Sequence, residues 1–541
     1  MKREGTVVAH AMAALPDDVE QLKAIIQGKD SVITELEKRN SLLLEQVTIL
    51  EKYRFARSSE RWTDDDRLQL YIFNEVEGAT PPELPEELET EQITYTRHKP
   101  KGRKPISDDL PRTVVVHELS DEQRRCDLEG CPEFGNCSKL RPEIGEQTRE
   151  ELEFIPAQII VKHHVYKSYG EIDCETVSAD ESTPTVISAP REKRIIPRGI
   201  VTASLLAYIV ASKFADALPL YRLERILRRI GVEISRQTMS GWVIAVALAC
   251  EVYLDMLRGR IRAGPLINMD ETKVQVLHEP GRPAERQSFM WVMVGSETDG
   301  CRIVLYHYAQ TRESRIAESL LDGYNGALQT DGCPSYHAVG ARKDIYHVGC
   351  LAHARRKFHE AYIGANRTGE ANTALGFIKE LYRIERTLRS QELTDGQFVE
   401  QRRKLSAPVL RKFHKWLVVM SNNVLPESLL GKAVSYALNE YRKIVRYLKY
   451  AYLTPDNNIA ERAIKPFVIG RKAWLFNNTP RGAHASAALY SIVETARANN
   501  LDPFHYLYRV FSELPKADTD EKIERLLPWN MSGIPAYRKA T

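Results

Sequence analysis

Three acidic residues stand in sequence contexts where a carboxylate is unusual. Asp270 interrupts an apolar strand-like run, with "LINM" before it and "VQVL" soon after it. Asp331 follows "ALQT" and opens the turn "DGCPSY", whereas Glu461 lies at a helix start four residues after Asn457. Aspartate is depleted from strand interiors, so Asp270 in particular indicates a function. Basic residues surround the third acid closely: Arg462, Lys465, Arg471 and Lys472.

Gathered carboxylates predict a metal-dependent reaction on phosphates. Three carboxylates in one place repel each other, and their pKa values rise unless a cation lies between them. Mg²⁺ prefers oxygen ligands, and a pair of such ions, for which Mn²⁺ could substitute, can activate an attacking hydroxyl and stabilise a leaving oxygen. The basic residues around Glu461 would then contact nucleic-acid phosphates. Trp474, just beyond them, either packs on the sheet, which we favour, or stacks on an unpaired base.

Each acid also has an ordinary structural interpretation. Asp270 could be a buried acid paired with Lys273 or with an arginine. Asp331 could simply form its turn, because Asp-Gly is a common turn pair. Glu461 could make a surface salt bridge to Lys465 at the i, i+4 spacing. Spacing alone does not choose between these interpretations and a catalytic triad.

The residues around the acids predict a mixed α/β sheet. Between residues 265 and 363, five strand-like runs occur, with one helix pattern after the third run and another after the fifth. Three adjacent strands followed by strand–helix alternation favour a mixed sheet. Residues 364–450 have an almost continuous helical pattern, so we expect a helical insertion between Asp331 and Glu461.

A basic helix pair precedes the predicted sheet. Leu223, Ile226, Leu227 and Ile230 form one apolar helix face, Gly231 breaks it, and Ser235 caps a second helix with Thr238, Met239 and Trp242 on its inner face. This order is typical of a helix-turn-helix. The arginines of the pair would face DNA phosphates. We expect DNA contacts from Arg225, Arg228, Arg229 and Arg236.

Residues 19–53 carry a heptad pattern. Ile26, Ile33, Asn40 and Val47 occupy the a positions, and leucines occupy most of the d positions. Branched residues at a with leucine at d favour a parallel two-stranded coiled coil, and one asparagine at a fixes its register. We therefore expect a homodimer or a higher oligomer. The alternative is a single amphipathic helix that packs on its own chain.

The segment between the heptads and the helix pair changes charge and gains cysteines. An acidic, proline-containing run at 75–91 has the composition of a linker, and the basic run at 97–105 contains Arg103 and Lys104. The basic run is either a DNA minor-groove arm or a basic linker. Short β-like runs follow. Candidate zinc ligands among them are Cys126, Cys131, Cys137 and Cys174, although their spacing contains no Cys-x2-Cys pair.

The composition of the whole chain argues against a membrane protein and against a disulfide framework. The 541 residues include 43% hydrophobic and 28% charged residues, which is ordinary for globular domains. The net charge of +3 is too small to point to any class of partner. No apolar run reaches the roughly 18 residues of a membrane span. Because the other four cysteines are scattered through apolar stretches, we expect reduced thiols and a cytoplasmic protein without membrane association.

The sequence resembles the transposases of the insertion-sequence 66 family over residues 17–530. The motifs that carry the resemblance include "MDETKVQVL", "LQTDGCPSY", "CLAHARRKF", "DNNIAERAIKPFVIGRKAWLF" and "LLPWN". The resemblance implies that Asp270, Asp331 and Glu461 form the Asp-Asp-Glu triad of a ribonuclease-H-like fold. It also implies small accessory proteins and a zinc-finger-like module. In that module Phe134 and Glu171 replace two expected cysteines, for which Cys126 and Cys137 could compensate.

The fold class that we predict is multidomain α/β, with a ribonuclease-H-like mixed sheet core and a helical insertion. We expect a bacterial, nucleoid-associated DNA transposase that binds element ends and joins them to target DNA with two Mg²⁺ ions. The alternatives are a metal-dependent nuclease without strand transfer and an inactive DNA-binding repressor. The expected domains are a coiled coil at 17–55, a linker at 56–112, a zinc-finger-like module at 113–190, a helix-turn-helix at 195–260, the core at 262–363 and 451–515, its insertion at 364–450 and a tail at 516–541.

Overall fold

The computed structural model describes residues 19–55, 158–169, 187–197, 199–296, 300–365 and 369–537. The contacts within the chain define two units, residues 1–80 with 163–541, and residues 81–162, of which the described part is 158–162. All helices and strands named below belong to the first unit. Several predicted functional residues lie outside the described residues, namely Arg103, Lys104, Cys126, Cys131, Cys137 and Cys174.

A five-stranded mixed sheet forms the centre of the described chain. Its strands are β3 (Leu266–Gln275), β4 (Gln287–Ser296), β5 (Arg302–Ala309), β6 (Gly326–Gln329) and β7 (Ile345–Val348). The strand order is β5-β4-β3-β6-β7. The first three strands pair antiparallel, while β6 and β7 run parallel to β3. The prediction of five strands in a mixed sheet is therefore confirmed. A separate two-residue ladder joins β1 (Ser168–Tyr169) to β2 (Ile187–Ser188).

Helices surround this sheet. Those before it are α1 (Val19–Phe55), α2 (Ala203–Phe214), α3 (Leu220–Arg229), α4 (Arg236–Ala249) and α5 (Glu251–Ala263). Those within its connections are α6 (Ser314–Leu320), α7 (His337–Gly340), α8 (Leu351–Gly364), α9 (Ala371–Arg389), α10 (Asp395–Asn423) and α11 (Leu429–Ile444). Those after it are α12 (Asn458–Trp474), α13 (Pro480–Ala498), α14 (Pro503–Glu513) and α15 (Asp520–Glu524).

Side chains of α13 cover the open edge of the sheet at β5. Ser491 accepts the backbone N–H of Tyr306 (2.7 Å), and the Thr495 hydroxyl bonds to both the N–H and the carbonyl of Val304. The Asn499 side chain bonds in the same way to Arg302. An uncovered edge strand presents unpaired backbone groups, so this ladder of polar side chains closes the sheet.

The helix pair α3–α4 has the predicted form of two helices and a short turn. Leu223 and Leu227 are buried in α3, Gly231 takes a positive φ of 86°, and the Ser235 side chain accepts the N–H of Thr238 as a helix cap. The predicted inner face is wrong at one position. Thr238 is exposed because its hydroxyl bonds to the capping serine (3.0 Å), while Met239 is buried.

The helical insertion α9–α11 is joined to the returning chain by a buried arginine. Arg402 on α10 is fully buried and donates to both carboxylate oxygens of Glu385 on α9. The same guanidinium donates to the carbonyls of Tyr447, Tyr450 and Leu453. A buried charge needs such complete pairing to be tolerated. Arg402 thereby fixes the segment that leads from the insertion back to α12.

The helices of residues 203–263 pack into the same unit as the sheet. Tyr253 on α5 and Tyr506 on α14 share a buried hydroxyl hydrogen bond of 2.5 Å. Seven residues of α2 are buried, including Leu206, Ile209 and Phe214. Within the described residues, no single helix is both long and apolar enough to cross a bilayer, and α4 with α5 meets those criteria only as a pair bent by 50°.

Candidate active site

The register between β3 and β6 places Asp270 beside Asp331. In this parallel ladder Asn268 lies opposite Gln329, and the Asn268 amide donates to the Gln329 side chain at 3.3 Å. Asp270 lies two residues after Asn268, and Asp331 lies two residues after Gln329. Residues i and i+2 of a strand share one face. The two aspartates therefore leave the sheet at the same level, where β6 has ended and β3 continues.

A network of buried amides fixes the start of α12 against these two strands. Asn457, immediately before the helix, is 1% exposed and donates its side-chain N–H to the carbonyl of Met269 (2.8 Å). Its side-chain oxygen accepts from Asn268 at 2.9 Å. Gln329 donates to the carbonyl of Thr454 (2.8 Å) in the chain that enters the helix. The network therefore holds the first turn of α12, which carries Glu461, next to the aspartates.

His353 on α8 lies between two of the predicted acids. Its Nε2 atom is 3.9 Å from Asp331 Oδ2, and its Nδ1 atom is 3.4 Å from Glu461 Oε1. Arg356, one turn further along α8, places Nη2 3.5 Å from Glu461 Oε2. Burial lowers the pKa of His353 to about 3, with a further contribution from the charge of Arg356. The imidazole is therefore neutral at neutral pH, and its contacts with the acids are polar rather than ionic.

The charges of neighbouring acids act on Asp270. Burial raises the pKa of Asp270 well above its ordinary value, and the negative charges of Glu271, Glu461 and Asp331 raise it further. Burial also raises the pKa of Asp331, although the N–H of Cys333 and the charge of Arg312 oppose that increase. Such mutual repulsion is the situation in which a bound cation stabilises carboxylates.

Glu271 is a fourth acid at this site that sequence reasoning did not identify. Its carboxylate accepts a hydrogen bond from Tyr336 and lies 3.5 Å from Arg312. Burial and the charge of Asp331 raise the pKa of Glu271 to about 7. The available signal was its position in "MDETK", since an acid next to Asp270 in a buried strand is as unusual as Asp270 itself.

The helical insertion reaches the loop that carries Asp331. Tyr436 on α11 accepts the backbone N–H of Gly332 (3.2 Å), and a side chain at Gly332 would collide with that ring. Glu440, one turn along α11, contributes to the raised pKa of Asp331 and is paired with Lys443 at 2.9 Å. The insertion lies within the about 130 residues that separate Asp331 from Glu461 in the sequence, and its Tyr436 contacts the residue that follows the first of these acids.

The side chains of this site are of types that bind divalent cations. Asp270, Asp331 and Glu461 offer carboxylate oxygens, which are the ligands that Mg²⁺ prefers. Among the described residues, the acid, histidine and cysteine ligand atoms that lie close together form a different group, which shares only Glu461 with these three acids. Cys350, His353 and Glu461 have ligand atoms within 4.8 Å of one another, and sulfur with imidazole suits softer ions such as Zn²⁺. Because burial raises the pKa of the Cys350 thiol well above its ordinary value, this group starts from a neutral thiol.

The basic residues predicted to contact DNA occupy two surfaces. Arg225, Arg228 and Arg229 are exposed on α3, where they line an open groove of about 620 Å³ together with Arg222. Arg236 is exposed at the start of α4. On α12 the exposed members are Arg462 and Lys472, and Lys465 is half-buried.

Arg471 and Trp474 serve the fold at the end of α12. The Arg471 guanidinium donates to the carbonyl of Lys273 on β3. Trp474 packs edge-on against Phe467 with ring centroids 5.6 Å apart, which agrees with the packing role that we favoured for it. Gly470 is required where α12 crosses Tyr490, because a side chain there would collide with the tyrosine hydroxyl.

Models of protein families match four parts of the chain. The model described as Transposase IS66 family matches residues 198–485, and the IS66 C-terminal element matches residues 491–529. The model described as Transposase C of IS166 homeodomain matches residues 42–115. A zinc-finger binding domain of transposase IS66 matches residues 130–174.

Three proteins of Sinorhizobium fredii (strain NBRC 101917 / NGR234) are similar over most of their length. The uncharacterized protein y4jD is 32% identical over 432 residues, covering 78% of this chain and 80% of the relative. The uncharacterized protein y4qI is 27% identical over 557 residues, covering 96% and 98%. The uncharacterized protein y4hP is 28% identical over 487 residues, covering 86% and 84%.

Proposed function

This chain belongs to the transposase IS66 family, and on that premise we propose that it cuts the ends of a mobile DNA element and joins them to target DNA with an Asp-Asp-Glu site. Family membership assigns the chain to DNA transposition and DNA binding. The observation that carries the finer proposal is that His353 lies 3.9 Å from Asp331 and 3.4 Å from Glu461, while the charges of both acids raise the pKa of Asp270.

The arrangement of the sheet supports a ribonuclease-H-like core. Three antiparallel strands are followed by two parallel ones, and helices connect the last strands. Asp270 comes from the central strand, Asp331 from the end of its parallel neighbour, and Glu461 from a helix that follows the insertion. In this interpretation the residues 262–363 and 451–515 form one catalytic core, and residues 364–450 interrupt it.

Asp270, Asp331 and Glu461 would hold Mg²⁺, or Mn²⁺ in its place. When bound, two such ions supply charge stabilisation for the attacking and leaving oxygens of a phosphoryl displacement. The protein itself contributes the rigid amide network that orients the acids, and the neutral His353 that separates Asp331 from Glu461. Arg356 and Arg312 place positive charge beside Glu461 and Glu271, where it would attract phosphate oxygens.

The helix pair and the basic side of α12 supply the DNA contacts in this proposal. Exposed arginines of α3 and α4 would position an element end through its phosphates, and Arg462 with Lys472 would hold the DNA beside Glu461. Zinc stays a proposal for residues 130–174, where the matched zinc-finger region contains Cys131, Cys137 and Cys174. Arg103 and Lys104, a role for accessory proteins, and action in the bacterial cytoplasm are likewise proposals.

The experiment compares Asp270→Asn and Glu461→Gln with the wild type on duplexes that carry the element's terminal sequence. Both variants should bind the ends normally, since neither residue belongs to the helix pair, yet lose cleavage and joining in Mg²⁺ or Mn²⁺. Asp322→Asn is the matched control, because Asp322 is an exposed acid on the loop after α6. Normal joining by either active-site variant would remove that residue from the chemistry.

The same assay separates two other functions. A metal-dependent nuclease would cut the end but would not join a pre-cleaved 3′ end to a second duplex. A DNA-binding repressor would bind the end tightly without cutting it and without binding Mg²⁺ or Mn²⁺ near Asp331. The buried acids with raised pKa values favour the transposase over the repressor, since a binding module has no use for them.

A further inference from the structure

Two exposed apolar side chains stand on a strained turn at the end of α12. Leu475 has φ 66° and ψ −53°, and the N–H of Phe476 donates to the carbonyl of Trp474 at 2.9 Å, which closes a γ-turn with positive φ. Leucine at positive φ is rare, and this form of γ-turn is strained. Even so, Leu475 is 65% exposed and Phe476 is 43% exposed. We call this pair the wedge.

The chain on both sides of the wedge is firmly held. On the helix side, the N–H of Leu475 donates to the carbonyl of Arg471 (2.6 Å), and the ring of Trp474 lies under the Lys213 ammonium at 5.5 Å. On the other side, the backbone of Asn477 pairs with Gln275 (2.9 Å) and with Leu277 (3.0 Å). Packing therefore maintains the strain and keeps the wedge out of the core. Strain that is maintained in this way is characteristic of functional positions.

A basic ridge leads from the active site to the wedge. Arg462, Lys465, Ile469 and Lys472 follow the spacing i, i+3, i+7 and i+10, so they share one face of α12. In the sequence, this ridge begins one residue after Glu461 and ends three residues before Leu475. A partner that fits has negative charge along its outside and apolar surfaces between its charged edges. Duplex DNA has this chemistry, with phosphates outside and stacked bases inside.

We propose that the wedge enters the base stack of a duplex that lies along the ridge, and that it unstacks one base step near the cleaved phosphate. This inference rests on the proposed function, because the ridge starts one residue after Glu461, a member of the proposed active site. Leu475 is 14 residues beyond Glu461, which corresponds to about 21 Å along a helix and to about six base pairs of duplex. The unstacked step should therefore lie within about six base pairs of the cleaved bond.

The experiment uses the full-length protein and a duplex of about 40 base pairs, or four helical turns, with the element's terminal sequence. 2-Aminopurine, whose fluorescence rises when it unstacks, replaces one base at a time. The wild type should raise the fluorescence several-fold at a single step. Leu475→Ala combined with Phe476→Ala should abolish that increase and weaken binding roughly tenfold, which is the size expected for one lost stacking contact.

Leu475→Gly keeps the test independent of folding. Glycine accepts the positive φ without strain, so this variant should raise the melting temperature while it reduces the fluorescence increase. Val419→Ala is the control for loss of an exposed apolar side chain, because Val419 is 56% exposed on α10 within the insertion. It should leave the fluorescence unchanged.

Two results overturn the inference in distinguishable ways. If the wild type binds and cuts the duplex but no position gains fluorescence, or if the wedge variants give the wild-type signal, then the wedge does not enter DNA and the proposed function stands. If the wild type neither binds nor cuts the duplex, both proposals fall. If Phe476→Ala instead lowered the mass of the protein in solution without DNA, the wedge would belong to a protein interface. That result would also overturn its role in unstacking.

Discussion

At Asp270, the ionised carboxylate that metal binding would require lowers the stability of the fold. Burial and the charges of Glu271, Glu461 and Asp331 raise the pKa of its carboxyl. A carboxyl whose pKa is higher in the folded than in the unfolded protein holds its proton more tightly when folded. Its ionisation therefore destabilises the fold as pH rises through the folded pKa, whereas below the ordinary pKa both states are protonated and the cost vanishes.

The variant Asp270→Asn should consequently stabilise the metal-free protein while it removes activity. The amide keeps the side-chain oxygen that accepts the N–H of Glu271 (2.9 Å) but removes the buried charge. We expect a gain of about 0.5–2 kcal/mol at pH 8, which is typical when a strained active site is relaxed. The gain should shrink as pH falls toward about 4, the ordinary pKa of an aspartate. Thermal unfolding at several pH values measures it.

Added Mg²⁺ provides the complementary readout for Asp270. The cation should stabilise the wild type, by about 2.7 kcal/mol at a hundred times its dissociation constant, and should stabilise Asp270→Asn much less. Asp322→Asn should behave as the wild type in both respects. An unchanged melting temperature for Asp270→Asn at pH 8, together with an undiminished response to Mg²⁺, would show that this carboxyl is neither repelled by its neighbours nor a ligand.

At the scale of elements, α12 combines three tasks along its 17 residues. Its start is fixed to β3 by Asn457, its first turn presents Glu461, and its end is fixed to the same strand by Arg471. The helix passes Tyr490 at Gly470, where the absence of a side chain allows close approach. The helix α12 thus sets the distance between Glu461 and the basic residues that follow it.

The variant Asn457→Ala should displace Glu461 without removing it, and so tests whether the position of Glu461 matters for cleavage. It leaves the Met269 carbonyl and one bond of Asn268 unsatisfied, and each buried unsatisfied group costs about 1–3 kcal/mol. Because a displacement of about 1 Å can reduce a rate about 100-fold, cleavage should fall by that order even in the folded fraction. Cleavage rates normalised to folded protein measure the effect.

Asn458→Ala is the neighbouring control for this prediction. Asn458 uses its backbone N–H to bond Asp456 (3.1 Å), and that bond survives the substitution. The control should therefore retain both stability and cleavage. If Asn457→Ala lost activity only in proportion to its unfolded fraction, the amide network would serve stability alone and would not position Glu461.

The elements were more predictable from the sequence than the contacts between them. Strand-like runs and the helical pattern of residues 364–450 gave five strands and an insertion, because periodicity reflects burial within each element. His353 and Glu271 were not identified as site residues, since a histidine on an amphipathic helix and an acid beside Asp270 acquire meaning only through partners far along the chain. Leu475 was equally hidden, because its positive φ results from packing on both sides of the turn.

At the scale of the whole molecule, parts that are distant in sequence form the described unit together. The helices before the sheet pack against helices near the C-terminus, as the bond between Tyr253 and Tyr506 illustrates. The long α1 differs, because those of its predicted apolar a and d side chains that the structure describes remain exposed: Ile26 57%, Ile33 51%, Leu36 54%, Leu43 50% and Val47 48%. A helix with an apolar stripe that its own chain leaves exposed favours pairing with a second copy.

We therefore expect the full-length protein to be a dimer that separates when the stripe is charged. Ile33→Glu combined with Leu36→Glu places carboxylates at adjacent a and d positions, so the mass in solution should fall from twice 61.7 kDa to one chain. Lys38→Glu, at an outward heptad position, should leave the dimer intact. Asn40→Val should tighten association but admit other strand numbers, because a lone polar residue at a sets both register and stoichiometry. A monomeric wild type would exclude the dimer. A stripe variant that stays dimeric would assign dimer formation to another surface.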